Sequence, residues 1–188
     1  LLKDNLRDCM KMLADFGYLD GKCGHRHRID LYLHPPVYTC DQAHRLCQPS
    51  LAKAAQMKNL FVKDKKKNLF LISALVDTDI RLGNLKLKGM ASGGASFASS
   101  ETLLQTLGLI PGSVTPFGLL NDSTQGVDRD SASHLPKVVY YLDANALKHD
   151  YLSFHPNACN ASIDIQKDMF VDFIERVTGH EVHILEAS

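Results

Sequence analysis

The sequence predicts an α+β protein built on a mixed sheet, because short apolar strands outnumber helices and the helices stand between hairpins. The clearest hairpin joins Asn59–Val62 to Asn68–Val76 through the charged turn Lys63–Lys67. Val138–Leu142 is a further strand whose apolar character predicts burial. A doubly wound parallel fold would instead require a helix after every strand.

The composition is that of one ordinary globular domain spanning residues 1–188. Of the 188 residues, 45% are hydrophobic, and 21 basic and 21 acidic residues give a net charge of zero. A neutral chain is not a general nucleic-acid coat, so any nucleic-acid contact must be local. No apolar run approaches the ~20 residues of a membrane span. An odd count of five cysteines argues against a disulfide framework. We therefore expect a reducing, cytoplasmic compartment and no membrane partner.

The first third of the chain is predicted to hold a helix, a strand and a second short helix. The helix over residues 1–17 packs on the domain through a stripe of four side chains, Leu2, Leu6, Met10 and Leu13. Arg28–Leu33 is predicted to be a strand that stops at Pro35, because proline cannot continue a ladder. Thr39 is positioned to cap a short helix over Asp41–Leu46.

Two helices and a short strand are predicted between residues 77 and 108. Acidic residues at Asp77 and Asp79 favour a helix start, with three side chains facing inward, Leu82, Leu85 and Met90. Ala95–Ala98 is predicted to be a short strand. Ser99 or Ser100 then caps a helix that ends near Leu107, with Gly108 as its C-terminal stop.

The last third begins with a stiff loop and ends on a strand. Residues 111–118 contain two prolines and two glycines, which predicts a specifically shaped loop, and a turn follows at Asn121–Gly126. Ser162–Ile165 is predicted to be extended, and Glu181–Leu185 is predicted to be a closing strand. An amphipathic helix over Asp168–Val177 turns five side chains inward, Met169, Phe170, Phe173, Ile174 and Val177.

Three groups of residues allow both a functional and a structural interpretation. The cysteines and histidines at positions 23, 25, 27, 40, 44 and 47 suggest zinc, but their spacing is not that of paired ligands. The Lys63–Lys67 turn could hold a polyanion or be a solvated turn. His155 could be a polar contact in a cleft or a packed structural histidine.

Five segments in order resemble the freestanding aminoacyl-tRNA editing domains of the YbaK/ProX family. The segments are His34–Thr39, Lys58–Asp64, Ser96–Ser99, Gly112–Leu119 and Phe154–Pro156. Each motif alone is weak, whereas the ordered set spans about residues 28–185. The family is similar to the insertion domain of bacterial prolyl-tRNA synthetase, and the sequence is most similar to the branch that removes alanine from the tRNA for proline.

The resemblance implies a curved, barrel-like mixed sheet surrounded by helices and a deacylase activity on mischarged tRNA. The reaction is hydrolysis of the ester between an amino acid and the terminal ribose of tRNA, without a metal or nucleotide cofactor. The implied partners are the acceptor 3′ end of mischarged tRNA and a prolyl-tRNA synthetase or synthetase complex.

The resemblance also implies the site residues. Lys58 and Asn59 are the implied catalytic pair: Lys58 holds a phosphate or the ester oxygen, and Asn59 orients the substrate or a water. The implied substrate-binding residues are Ser96, Gly112, Ser113, Val114, Thr115, Pro116, Phe117, Gly118 and His155.

Two other classes of function remain open from the sequence. A non-catalytic adaptor could keep the pocket for the tRNA end and act within a synthetase assembly. A zinc-dependent protein would use the cysteine and histidine positions named above.

Overall fold

A computed structural model describes residues 2–19, 29–36, 54–90, 93–124, 137–157 and 160–186. Its sheet has eight strands. They are β1 (Ile29–Leu33), β2 (Ala55–Lys63), β3 (Leu69–Leu75), β4 (Ser96–Phe97), β5 (Val138–Asp143), β6 (Tyr151–Phe154), β7 (Ala161–Gln166) and β8 (Val182–Leu185).

The sheet is mixed, and the long strand β2 lies at its centre. The strand order is β1-β7-β6-β2-β3-β5-β8, with β4 also paired to β2. Strand β2 runs antiparallel to β3 and β4 and parallel to β6. Strands β3, β5 and β8 run parallel to one another. The predicted α+β class with a mixed sheet is therefore confirmed.

Side chains alternate across β2 and separate two apolar clusters. Met57 and Phe61 belong to the larger cluster, which also contains the aromatic rings of the C-terminal helix. Val62 belongs to the smaller cluster, together with Phe70 and Ile72 of β3. Because successive strand residues point to opposite faces, Asn59 lies on the Phe61 face and Lys58 lies on the other.

Four α-helices are described, namely α1 (Leu2–Asp15), α2 (Ser100–Leu107), α3 (Leu119–Thr124) and α4 (Lys167–Phe173). Ser99 caps α2, because its hydroxyl accepts a hydrogen bond from the Thr102 N–H at 3.1 Å. Gly108 ends α2 in the left-handed region with φ of 65°. This confirms the predicted cap and stop. Helix α4 continues as a π-helical turn, Ile174–Thr178, that ends at Gly179.

Helix α1 packs on the larger cluster, and the turn after it contacts α4. Cys9 and Leu13 are fully buried in the larger cluster. The Tyr18 hydroxyl donates to the Asp172 carboxylate at 2.6 Å, and the Tyr18 ring meets the Phe173 ring edge-on at 5.7 Å. In the described part of the chain, no helix is both long and apolar enough to cross a bilayer.

The predicted helix after Asp77 is wrong. Only a single 3₁₀ turn, Leu82–Asn84, forms there. Leu85 and Leu87 are buried while Lys86 and Lys88 are exposed, which is the two-residue period of extended backbone. Leucines spaced three apart therefore misled the helical prediction.

The predicted turn at Asn121–Gly126 is also wrong where it is described, because Leu119–Thr124 is helix α3. Asp122 explains why a helix is stable there. Its buried carboxylate accepts a hydrogen bond from the Val138 N–H at 2.9 Å, which connects α3 to β5. The same carboxylate lies 3.0 Å from His180 Nε2. Because both contacts join residues far apart in the chain, no local sequence pattern predicts them. The predicted helix over Asp41–Leu46 lies outside the described residues.

Candidate active site

A cavity of about 380 Å³ lies between β2, β4, the start of α2 and the loop after α2. It is lined by Asn59, Phe61, Phe97, Ala98, Ser100, Leu103, Pro111, Gly112 and Val114. Its volume falls within the ~300–1,000 Å³ range of small-molecule sites. Most of the wall is apolar, and the Asn59 amide is the polar side chain with a fixed orientation.

Two hydrogen bonds hold the Asn59 side chain at the cavity wall. Its Nδ2 donates to the Val114 carbonyl at 3.1 Å, and its Oδ1 accepts from the Ser73 hydroxyl at 2.6 Å. Because a carbonyl can only accept, the amide nitrogen must face Val114. A primary amide has two N–H donors and two acceptor lone pairs. One N–H and one lone pair of Asn59 thus have no partner among the described residues and can serve a ligand.

Lys58 points away from this cavity. Its ammonium donates to the carbonyls of Val76, at 2.9 Å, and Thr78. These bonds tie the segment after β3 to the first half of β2. An ammonium has three donors, so one N–H remains. Lys58 is not among the residues that line the cavity, and its catalytic role stays a prediction.

The Gly112–Gly118 loop divides into a cavity wall and a buried support. Gly112 and Val114 line the cavity. Gly112 has φ of 88°, a conformation that glycine adopts without steric cost. Ser113 is buried and donates to the Ile110 carbonyl at 2.9 Å, which closes the turn. Thr115 is fully buried, and its hydroxyl has no hydrogen-bond partner within the described residues.

Pro116, Phe117 and Gly118 form a buried 3₁₀ turn beneath the wall. The Phe117 ring packs against Phe154 and Phe173 at centroid distances of 6.1 and 5.5 Å. A Cβ at Gly118 would lie 2.6 Å from Leu109 Cδ1, so a side chain there would require the buried Leu109 to shift. These three residues position the loop from behind and do not line the cavity.

His155 lies outside the cavity wall, in a pair with His34. The two rings are 5.8 Å apart in an edge arrangement. His155 Nδ1 donates to the Ala161 carbonyl at 2.9 Å. Burial lowers the pKa of His155 from its ordinary value, the bond to Ala161 opposes that effect, and the neighbouring His34 adds to it. His155 therefore stays neutral more readily than a free histidine.

Ser96 is exposed and sits beside the cavity rather than in its wall. It pairs with Lys63 at the end of β2, and the next residues, Phe97 and Ala98, line the cavity. Sequence reasoning missed six wall residues, Phe61, Phe97, Ala98, Ser100, Leu103 and Pro111. Phe61 could have been found, because it stands two residues after Asn59 and strand periodicity puts both on one face.

No group of three or more histidine, cysteine, aspartate or glutamate side chains in the described ranges could hold a metal ion. The cysteines and histidines between positions 23 and 47 lie outside those ranges.

Comparison with known proteins places the chain in a family. The model of the aminoacyl-tRNA editing domain matches residues 34–173. A mouse relative, "Prolyl-tRNA synthetase associated domain-containing protein 1", is 34% identical over 162 residues, covering 84% of this chain and 87% of the relative. "Prolyl-tRNA editing protein ProX" of Acetoanaerobium sticklandii is 34% identical over 131 residues, covering 69% and 71%.

A solved structure shares the fold over nearly the whole chain. It is described as "a putative trans-editing enzyme for prolyl tRNA synthetase" and superposes with a TM-score of 0.60 at 17% identity, covering 98% of both chains. The family match and the two relatives agree with the resemblance that the ordered motifs indicated. The chain belongs to the aminoacyl-tRNA editing domain family.

Proposed function

We propose that this chain is a trans-editing deacylase that hydrolyses mischarged aminoacyl-tRNA, with alanine on the tRNA for proline as the preferred substrate. The observation that supports this most directly is the Asn59 amide, fixed by Ser73 and Val114 at the wall of a small cavity. Family membership and the ProX relative supply the reaction class. In this proposal residues 1–188 form one domain, with the 1–17 helix packed on it, in the cytoplasm.

The reaction is attack of water on the ester carbonyl, which passes through a tetrahedral oxyanion before the ribose oxygen leaves. A prepositioned N–H donor at that oxygen stabilises the transition state, and loss of one such donor costs about 10²–10³ in rate. The free N–H of Asn59 is the donor in this proposal. Its remaining Oδ1 lone pair accepts from the substrate ammonium group. The neighbouring ribose hydroxyl helps to activate the water.

Gly112 and Val114 form the part of the cavity wall that comes from the loop after α2. The absence of a side chain at Gly112 lets the ribose approach the backbone closely. The loop residues Ser113, Thr115, Pro116, Phe117 and Gly118 support this wall, and Ser96 borders it. His155 lies outside the wall and stays a proposed substrate-binding residue. Lys58 is proposed to hold a phosphate or the ester oxygen with its remaining N–H.

Selectivity in this proposal comes from the size of the cavity. A volume of about 380 Å³ that also holds ribose leaves room for a small side chain. Size exclusion discriminates weakly among side chains that fit. Serine and glycine esters are therefore expected to be hydrolysed as well, and proline esters are expected to survive.

The test is a panel of charged tRNAs in which the amino acid and the tRNA vary independently. The chain is incubated with alanyl-, seryl-, glycyl- and prolyl-tRNA(Pro) and with alanyl-tRNA(Ala), and ester loss is followed against buffer. We expect alanine to leave tRNA(Pro) fastest. Ester loss at the buffer rate for every member of the panel would rule out the proposed activity.

A non-catalytic adaptor that binds the tRNA end is the second candidate. Two observations favour it: Lys58 is already bonded to two backbone carbonyls, and the mouse relative is named for a prolyl-tRNA synthetase associated domain rather than for an editing activity. An adaptor would bind alanyl-tRNA(Pro) or a prolyl-tRNA synthetase and leave the ester intact in the same assay.

A further inference from the structure

The ammonium group of Lys58 is held by residues 76–78, the segment that follows β3. Its Nζ donates to the carbonyls of Val76, at 2.9 Å, and Thr78. An ammonium group is tetrahedral and carries three donors. Once two of its N–H bonds point at fixed carbonyls, the direction of the remaining N–H is fixed as well. The two carbonyls therefore determine where Lys58 can donate to a ligand.

This segment is itself held by a carboxylate at the end of β5. Asp143 is fully buried. Its Oδ2 accepts hydrogen bonds from the Leu75 N–H at 3.3 Å and from the Thr78 hydroxyl at 2.5 Å. Its Oδ1 accepts one from the Asn145 N–H at 2.9 Å. Thr78 is thus bonded to Asp143 through its hydroxyl and to Lys58 through its carbonyl.

The backbone of this segment does not need a lysine to satisfy its carbonyls. Val76 and Thr78 are half-buried, and Asp77 between them is exposed. Water can therefore reach this part of the backbone and can bond to its carbonyls. A buried carboxylate, by contrast, costs free energy that its hydrogen bonds must offset. The arrangement stabilises one orientation of the Lys58 ammonium group, which the stability of the segment alone does not require.

We infer that Asp143 is a positioning residue for the proposed reaction, because through Thr78 it fixes the carbonyls that orient the Lys58 ammonium group. This inference deepens the proposed function and rests on it for the contact between Lys58 and substrate. A misplacement of ~1 Å in an active site can cost about 10²-fold in rate. The loss of one bond between Asp143 and Lys58 should therefore be measurable.

Thr78→Val is the principal variant, because it removes the hydroxyl that bonds to Asp143 and keeps the carbonyl that bonds to Lys58. Thr78→Ser keeps the hydroxyl and should behave as the wild type does. Thr178→Val is the matched control. It removes another threonine hydroxyl, which donates to the Ile174 carbonyl at 2.6 Å in the π-helical turn after α4.

The first readout is the NMR signal of the Lys58 side-chain ammonium group, identified by its absence in Lys58→Met. This signal reports the hydrogen bonding of the ammonium group and does not require hydrolysis. Thr78→Val should shift the signal or broaden it through faster exchange with water, whereas Thr78→Ser and Thr178→Val should leave it unchanged. Asp143→Asn should act as Thr78→Val does, since its amide nitrogen must face one of the donors that the carboxylate accepts.

The second readout is kcat/KM for hydrolysis of alanyl-tRNA(Pro), measured at a temperature where every variant is folded. Thr78→Val should lower kcat/KM by about 10- to 10²-fold, and Thr178→Val should leave it unchanged. In a Lys58→Met background, Thr78→Val should have no further effect, because residues that act through one group are not additive.

An unchanged ammonium signal in both Thr78→Val and Asp143→Asn would overturn the inference. If Lys58→Met abolishes hydrolysis while Thr78→Val hydrolyses as fast as Thr178→Val, the inference fails and the proposed function stands. If the wild type hydrolyses no member of the charged tRNA panel, the proposed function fails. The ammonium signal then still decides whether Asp143 orients Lys58.

Discussion

Replacing Asn59 with alanine tests both the packing and the chemistry of the cavity. The substitution removes the bond to the Val114 carbonyl and the acceptor of the Ser73 hydroxyl. Ser73 is fully buried, so water does not readily replace the missing acceptor. The loop that carries Gly112 also loses its polar connection to β2.

The expected magnitude follows from these two bonds. A buried polar group without a partner costs ~1–3 kcal/mol, and the bond at Val114 adds ~1 kcal/mol. We therefore expect Asn59→Ala to lower the free energy of unfolding by ~2–4 kcal/mol. For a chain of this size that lowers the Tm by roughly 4–15 °C. Loss of the donor at the ester oxygen should lower the deacylation rate about 10²–10³-fold.

The assay combines thermal unfolding with hydrolysis of alanyl-tRNA(Pro) at a temperature where every variant is folded. Ser73→Ala is the control, because it removes the partner of Asn59 without changing the cavity wall. The double variant should unfold at a higher temperature than the sum of the two single effects predicts, since the Ser73 hydroxyl that Asn59→Ala leaves without its acceptor is then absent. A folded Asn59→Ala protein with a rate near that of the wild type would refute the proposed role of the amide.

Three further changes test other parts of the structure. Lys58→Met should nearly abolish deacylation if Lys58 contacts substrate; a lower Tm with an unchanged rate would instead assign Lys58 to holding Val76 and Thr78. Gly118→Ala should destabilise the fold by ~1–3 kcal/mol, because its Cβ would meet Leu109 Cδ1 at 2.6 Å. Gly83→Ala is the matched control, because a Cβ there would have nothing within 4 Å. Equal urea midpoints for the two variants would contradict the clash at Gly118. Because the pKa of His155 is lowered in the folded state, His155 is protonated at a higher pH in the unfolded chain than in the folded chain. The free energy of unfolding therefore falls as pH drops below about 6.5. His155→Gln should therefore narrow the gap between urea midpoints at pH 8 and pH 5, and an unchanged gap would exclude His155 as a source of the dependence.

The sequence alone determined the β2–β3 hairpin and the ends of α2, because these depend on near neighbours. The hairpin of β2 and β3 follows from apolar runs around a charged turn. Ser99 and Gly108 mark the ends of α2 through local hydrogen bonding and backbone conformation. The ordered motifs also indicated the family, since their spacing needs no knowledge of tertiary contacts.

Only the tertiary structure decided which of the motif residues meet at the cavity. Lys58 and Asn59 are adjacent in sequence, yet the two faces of β2 separate them. The segment after Asp77 became extended because Leu85 and Leu87 reach the smaller apolar cluster, which is assembled from distant strands. Likewise, α3 depends on the contact of Asp122 with His180. These outcomes depend on packing between residues far apart in the chain, and local sequence patterns do not encode it.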